Sequence, residues 1–213
     1  MNLSRKELEN IFKEVPVDYY QKGIQKNTLQ RLWHTGKLRN ILSLAEKNPD
    51  NILDVGCASG WFLNEVSKKF PKAKCFGIDL YEDAIKYGKR RYKKLNLVTA
   101  DAHKIPFKDS TFELVICSEV LEHVLDSKKV VKEIIRVLAP NGIALIEMDS
   151  GNILFKTVWH WWTHMRKGVW KHAHLHPFDK RKLEKVIGEG GLIIVKKKSF
   201  NFTMAVAYKT KKS

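Results

Sequence analysis

Long apolar runs are missing from this sequence: the longest uninterrupted one is Met204 to Tyr208, far short of the roughly 20 residues a membrane-spanning helix needs. Cysteine is sparse as well. Cys57, Cys75 and Cys117 are an odd number, widely spaced in apolar surroundings, which suits reduced, buried thiols better than a disulfide framework. Acidic residues are few beside basic ones, 23 against 39, for a formal charge of +16. The excess lies mainly in residues 149–213, with 14 basic and 4 acidic side chains, whereas residues 48–148 hold 16 and 14. Such a surface favours anionic partners (a phosphorylated substrate, a headgroup layer, RNA), although a solvated lysine-rich face has the same composition. Residues 1–14 show neither a continuous hydrophobic segment nor a small-residue cleavage site, so no secretory signal is read and a cytoplasmic location is expected.

What is present suits a folded chain. Its 213 residues are 44% hydrophobic, 10% aromatic and 29% charged, enough apolar side chain for one domain over 1–213 with a full core. From Asn51 short β-type runs alternate with helical patterns and no internal period repeats, which is the rhythm of an α/β fold. The expected strands are 52–55, 75–80, 97–100, 114–117, 143–148, 192–197 and 203–208. Helices are expected over 61–69, 83–94 and 128–138, the last with Val130, Val131, Ile134, Ile135 and Leu138 at helical spacing. Pro140, Asn141 and Gly142 read as a turn into the fifth strand, and Lys209 to Ser213 as a frayed tail. Residues 1–47 read as a helical cover broken early at Pro16. Only Ser199 to Phe202 separate the last two strands, too few for a parallel crossover, so an antiparallel hairpin is expected.

The sharpest motif is Ile52-Leu53-Asp54-Val55-Gly56-Cys57-Ala58-Ser59-Gly60-Trp61, an apolar strand carrying an acid, a small-residue loop and then a helical pattern. It places a ligand against a helix N-terminus. Gly56 and Gly60 permit close backbone approach, but the spacing GxAxG differs from the GxGxxG that cradles a pyrophosphate, which disfavours a nicotinamide dinucleotide. Asp54 beside the loop repels phosphate and attracts a cationic ligand portion. Asp79, next to Leu80 at the end of the second strand, can accept both ribose hydroxyls. Asp101, next to Ala102 after the third, can accept from an adenine amino group, with Ile105, Pro106 and Phe107 giving apolar surface nearby. Singly, such acids are often helix caps; together they line one rim.

These motifs, with Phe112 to His123 around the fourth strand and Val137 to Gly142 before the fifth, resemble the class I S-adenosylmethionine-dependent methyltransferases, particularly the small-molecule branch that includes ubiquinone and menaquinone methyltransferases. The resemblance runs from about Asn51 to Met148 and more loosely to Tyr208. It implies a Rossmann-like seven-stranded sheet in order 3-2-1-4-5-7-6, strand 7 antiparallel, with helices on both faces. It also implies a cofactor core over 48–148 and an acceptor lid and hairpin over 149–213. By the same resemblance S-adenosylmethionine is the cofactor. Asp54 and Gly56, Cys57, Ala58 and Gly60 would hold its methionine portion, Asp79 and Leu80 the ribose, and Asp101 and Ala102 the adenine, with Ser118 and Glu119 as the floor near the reactive methyl. Ala58 stands where glycine is more frequent and is expected to tighten the loop without preventing binding.

Methyl transfer from a sulfonium needs the nucleophile held in line and little more. A general base matters only for a hydroxyl, an acidic carbon or a protonated amine. Candidates are His123, Asp149 and His160. Residues 153–167 read as an amphipathic helix, with Leu154, Val158, Trp161, Trp162 and Met165 on one side and Lys156, His160, Thr163 and Lys167 elsewhere, suited to a lid over a greasy acceptor or to contact with a membrane surface. His160, His164, His172, His174 and His176 allow metal ligation in principle, but the chemistry requires no metal and none is expected. By the same resemblance, Tyr19, Tyr20, Arg31 and Trp33 in the N-terminal cover would close over the cofactor. The expected function is therefore methyl transfer to a small-molecule or lipid-like acceptor. RNA methylation ranks second, without a separate RNA-binding module or the Asn-Pro-Pro-Tyr type signature of nucleic-acid amine methylases. A non-catalytic cofactor-binding scaffold ranks third.

Overall fold

The structure, a computed structural model, describes residues 7, 13, 15–45, 48–166 and 179–213, apart from the side chains of 159 and 162–166. Two helices come first, α1 (Tyr19–Lys26) and α2 (Thr28–Leu42). The Asn27 side chain caps α2 by accepting from the amides of Leu29 and Gln30, satisfying two of the donors that a helix start leaves open. The alternating section is β1 (Asn51–Val55), α3 (Trp61–Lys69), β2 (Lys74–Asp79), α4 (Glu82–Arg91), β3 (Asn96–Thr99), β4 (Phe112–Ser118), α5 (Ser127–Val137) and β5 (Leu138–Asp149). After it come α6 (Ile153–Arg166), α7 (Lys180–Gly190), β6 (Leu192–Phe200) and β7 (Ala205–Lys212).

The seven strands form one sheet in order β3-β2-β1-β4-β5-β7-β6. The first five are mutually parallel, and β7 runs antiparallel to both β5 and β6. Alternation along each strand feeds two cores. Leu53, Val55, Val115, Cys117, Ile146, Val206 and Tyr208 meet α5 and α7 on one face. On the other, Ile52, Leu114, Ile116, Leu145, Ala205 and Ala207 meet α2, α3 and α4. On α5 the fully buried Val130, Val131, Ile134 and Val137 form the inward stripe. Trimming one methyl there, Ile134→Val, is expected to lower stability by about 0.5–1.5 kcal/mol, read by chemical denaturation.

Two local expectations are corrected. Pro140, Asn141 and Gly142 do not precede the fifth strand but lie within it: β5 begins at Leu138, paired with Phe112, and the register shifts before Ile143 pairs with Leu114. A bulge absorbs the proline, which cannot donate to the ladder. Lys209 to Lys212 are not a frayed tail, because they pair with Leu192 to Lys196 of β6. Their lysines alternate with a buried Thr210 whose hydroxyl donates to the Ala144 carbonyl. All three cysteines are buried free thiols.

Candidate active site

The sheet order turns back between β1 and β4, so the loops leaving these parallel strands splay apart and open a crevice at their C-terminal ends. A cavity of about 600 Å³ occupies it. Its floor comes from Asp54 and Gly56, Ile78 and Asp79, Ala100 and Asp101, Ser118 and Glu119, and Asp149, at the ends of β1 to β5 in turn. Its roof comes from Tyr19 and Tyr20, from Leu32, Trp33, His34 and Lys37 of α2, from Phe155, Val158 and Trp161 of α6, and from Phe202 in the β6–β7 turn.

The β1–α3 loop is shaped by backbone sterics. Gly56 has φ +78, and a Cβ there would stand 2.3 Å from Val120 Cγ2. Ala58 is left-handed at φ 47, and its amide donates to Asp79 Oδ2 at 2.7 Å. Asp79 Oδ1 accepts from the Tyr81 amide at 2.9 Å. One carboxylate thus ties the first loop to the turn after β2, with lone pairs left on both oxygens for a ligand. Asp101 Oδ1 holds the His103 amide at 2.8 Å and its Nδ1 at 2.6 Å. His103 Nε2 accepts from the Asp126 amide at 3.0 Å, so the proton sits on Nδ1 and the turn after β3 is fastened to the start of α5.

Asp54 is buried, and burial first, then the neighbouring Asp79, pushes its carboxyl well above the usual range. Asp79 is raised chiefly by burial too, against the pull of its amide donors. No ion pair among the described residues involves either acid. A second charged group lies at the ends of β4 and β5. Lys37 reaches down from α2 to Glu119 Oε1 at 2.9 Å and Glu147 Oε1 at 3.3 Å, while Ser118 Oγ donates to Glu147 Oε2 at 2.5 Å. Glu119 is left-handed at φ 56, a conformation costly for a non-glycine and concentrated at functional sites. Burial lifts Glu147 to about 7 against the pull of Lys37. Burial also lowers His34 to about 4, helped by Lys37, so this cavity-lining imidazole is neutral at pH 7.

Nearly every residue singled out in the sequence lines this one cavity: Asp54, Gly56, Cys57, Ala58, Asp79, Leu80, Asp101, Ala102, Ser118 and Glu119, with His123 and Asp149. Gly60 does not. It caps α3 at φ +81 and faces Leu97 and Leu95, acting on the loop's course. His160 does not line the cavity either: α6 presents Phe155, Val158 and Trp161 to it, and His160 stands about 100° from Trp161 around the helix. For the same reason Leu154 is exposed and Phe155 takes its place. Arg31 also stays outside the lining, whereas Tyr19, Tyr20 and Trp33 are in it. His164, His172, His174, His176, Lys167 and the side chains of Trp162, Thr163 and Met165 lie outside the described residues. Missed in the sequence were His34, Lys37, Trp61, His103 and Glu147. Glu147 had a signal, being the lone acid in the apolar run from Ile143 to Met148.

A doubly wound sheet with an antiparallel β7 and an acid-tipped crevice over β1 to β3 defines a nucleoside-binding α/β domain. The chain matches, over residues 53–146, the family model described as a methyltransferase domain. It is 35% identical to norajmaline N-methyltransferase of Rauvolfia serpentina over 116 residues, which is 52% of this chain and 39% of that one. It is 31% identical to a malonyl-[acyl-carrier protein] O-methyltransferase of Legionella pneumophila over 133 residues, 61% of this chain and 45% of that one. The chain thus spans less than half the length of these two curated relatives. Among solved structures, the N-methyltransferase NodS of Bradyrhizobium japonicum, in complex with S-adenosylhomocysteine, has the same fold at TM-score 0.69 and 18% identity, covering 96% of this chain and 97% of that one.

S-adenosylmethionine is the cofactor of this domain class, and the residues present fit it. The cofactor brings positive charge on sulfur and on its amino group, and Asp54, buried and without an ion-pair partner among the described residues, is a carboxyl group to which such a charge would be complementary.

Proposed function

We propose that this chain transfers the methyl group of S-adenosylmethionine to a small, largely apolar acceptor. The observation that carries this reading is a single cavity with two ends of different chemistry. Carboxylates line it at β1 to β3, and aromatic and aliphatic side chains line it beneath α2, α6 and the β6–β7 turn.

When bound, the cofactor supplies a methyl group already activated on sulfonium. The protein's part is to bind, orient and exclude water. In this reading Gly56, Cys57 and Ala58 let the backbone approach the methionine portion, with Asp54 opposite its charge. Asp79 receives the ribose, Asp101 and Ala102 the adenine, and Ser118 and Glu119 form the floor below the methyl. The cover formed by α1 and α2 is fastened at both ends of the cavity. Gln21 Nε2 donates to Ser59 Oγ at 2.9 Å on the β1–α3 loop, and Lys37 pairs with Glu119 and Glu147. Asp79→Ala is expected to weaken cofactor binding by about 1–3 kcal/mol through lost ribose hydrogen bonds; unchanged affinity by calorimetry would remove Asp79 from the site.

The mouth supports a lipid-like acceptor taken from a membrane surface. Exposed apolar side chains gather there: Leu32 is 62%, Trp161 56% and Phe202 85% accessible. Phe202 is held out by three consecutive left-handed residues, Asn201, Phe202 and Thr203. The helices around the mouth, α1, α2 and α6, carry the exposed Lys22, Lys26, Arg31, Arg39 and Lys156 and no acid, a charge that complements an anionic headgroup layer. Phe202→Ser is expected to reduce co-sedimentation with phosphatidylglycerol vesicles severalfold. Equal recovery of wild type and variant would argue against a bilayer at this mouth.

The test of the function is transfer of a radiolabelled methyl group in a cell extract. Label in the organic-soluble fraction is the expected result. Label in RNA overturns the choice of acceptor, and cofactor binding without release of S-adenosylhomocysteine overturns transfer itself.

A further inference from the structure

The cavity floor at the ends of β4 and β5 gathers several carboxyl groups in a chain whose overall charge is +16. Carboxylate oxygens of Glu119, Glu147 and Asp149 lie within 4.8 Å of one another, and Glu122 is buried nearby. Lys37 pairs with Glu119 and Glu147, and His123 Nε2 lies 4.0 Å from Glu122 Oε1. Lys37 already puts an ammonium where a divalent ion would have to displace it, so this is not read as a metal site. Asp149 has no ion pair among the described residues. Its Oδ1 is buried without a hydrogen-bond partner, yet the residue lines the cavity, as do Phe155 and Val158 of the lid.

Asp149 is itself only partly buried, but a carboxylate with one oxygen buried and unpartnered is costly, and the cost falls when a ligand brings a positive hydrogen-bond donor. An anionic acceptor would be repelled by three acids. A neutral hydroxyl would leave the charge uncompensated. We propose that the acceptor is a lipophilic amine whose ammonium group binds against Asp149, with Glu119 beside it, and that Asp149 takes the proton which frees the nitrogen for methylation.

This rests on the methyl-transfer reading and names its substrate class. In the step, an N–H bond of the ammonium breaks and its proton passes to Asp149. The freed nitrogen lone pair then forms the bond to the methyl carbon. The carbon–sulfur bond breaks with its electron pair remaining on sulfur, leaving a methylated ammonium and a neutral thioether. Asp149 suits the task because burial, together with Glu119, raises its carboxyl well above the ordinary range against the opposing pull of Lys37, bringing its proton affinity closer to that of an amine.

The test is a series of calorimetric titrations on the full chain at pH 7.5. S-adenosylhomocysteine is titrated first, and octylamine, octanol and octanoate are then titrated separately into the saturated protein. Octylamine is expected to bind about tenfold or more tightly than octanol, as one charge-assisted hydrogen bond implies, with octanoate weaker than both. Asp149→Asn is expected to shrink the preference for amine over alcohol to about threefold or less. Octanol or octanoate binding as well as octylamine overturns the proposal on the wild-type protein alone, whether or not the variant folds. A folded Asp149→Asn protein that keeps the full amine preference also overturns it. Failure of S-adenosylhomocysteine to bind in the first titration overturns the methyl-transfer reading instead.

Discussion

Replacing Lys37 with methionine is expected to cost about 3–5 kcal/mol of stability at pH 8, because a buried ion pair that loses one partner leaves the other charge uncompensated. The loss should be distinctly smaller at pH 5. Burial by itself lowers the Lys37 ammonium, but Glu119, Glu147 and Asp149 outweigh it and hold the group well above its usual value. Lys37 therefore stays charged throughout the measured range and serves as the counter-charge of the cluster. The pH dependence comes from the acids. Glu147 has a folded value of about 7 against an ordinary 4.5, so between those values the folded state binds more protons than the unfolded one. Its contribution to stability is intact below the lower value and declines as pH rises through the upper one. Glu122 and Asp149, raised chiefly by burial, act in the same direction. Without Lys37 the acids rise further and the decline extends to higher pH. Urea denaturation at the two pH values measures the difference; an equal loss at both would show that the lysine does not neutralise this cluster.

The second large effect is expected at Gly56. Valine there must adopt φ +78, and its Cβ must occupy space 2.3 Å from Val120 Cγ2. Left-handed backbone costs about 1–2 kcal/mol for a residue with a Cβ, and forcing atoms into a packed site costs about 1–3 kcal/mol. Gly56→Val should therefore lose about 2–5 kcal/mol of stability. Displacing Val120 and the loop should also take cofactor binding below detection by calorimetry. Ala58→Gly is the control. Position 58 is already left-handed at φ 47, so glycine is tolerated and binding is retained. Wild-type affinity in Gly56→Val would mean that the ligand does not rest on this loop.

The strands and the rim of acids were legible in the sequence because both are local signals. Apolar runs ending in Asp54, Asp79 and Asp101 fix the strand ends and put the acids at one edge of a parallel sheet, and the short link before β7 fixes its direction. Less legible was anything decided by the partner strand. Lys209 and Lys211 look like a charged tail until β6 supplies their hydrogen bonds, and Pro140 looks like a turn until the bulge places it inside β5. Lys37 was hidden for a similar reason. It is one basic residue on a helix with no acid of its own, and its partners Glu119 and Glu147 are more than 80 residues away in the chain. That His160 would lie off the cavity lining was not legible either, because composition shows that α6 is amphipathic, while the side it turns inward is set by its tertiary surroundings. Phase around a helix is a tertiary property.

The measurement that bears most directly on the account is a crystal structure of the protein with S-adenosylhomocysteine. The account predicts the ribose at Asp79, the adenine beside Asp101 and Ala102, and the sulfur turned toward Ser118 and Glu119. The nucleoside bound elsewhere, or a cavity that excludes it at saturating concentration, would contradict it.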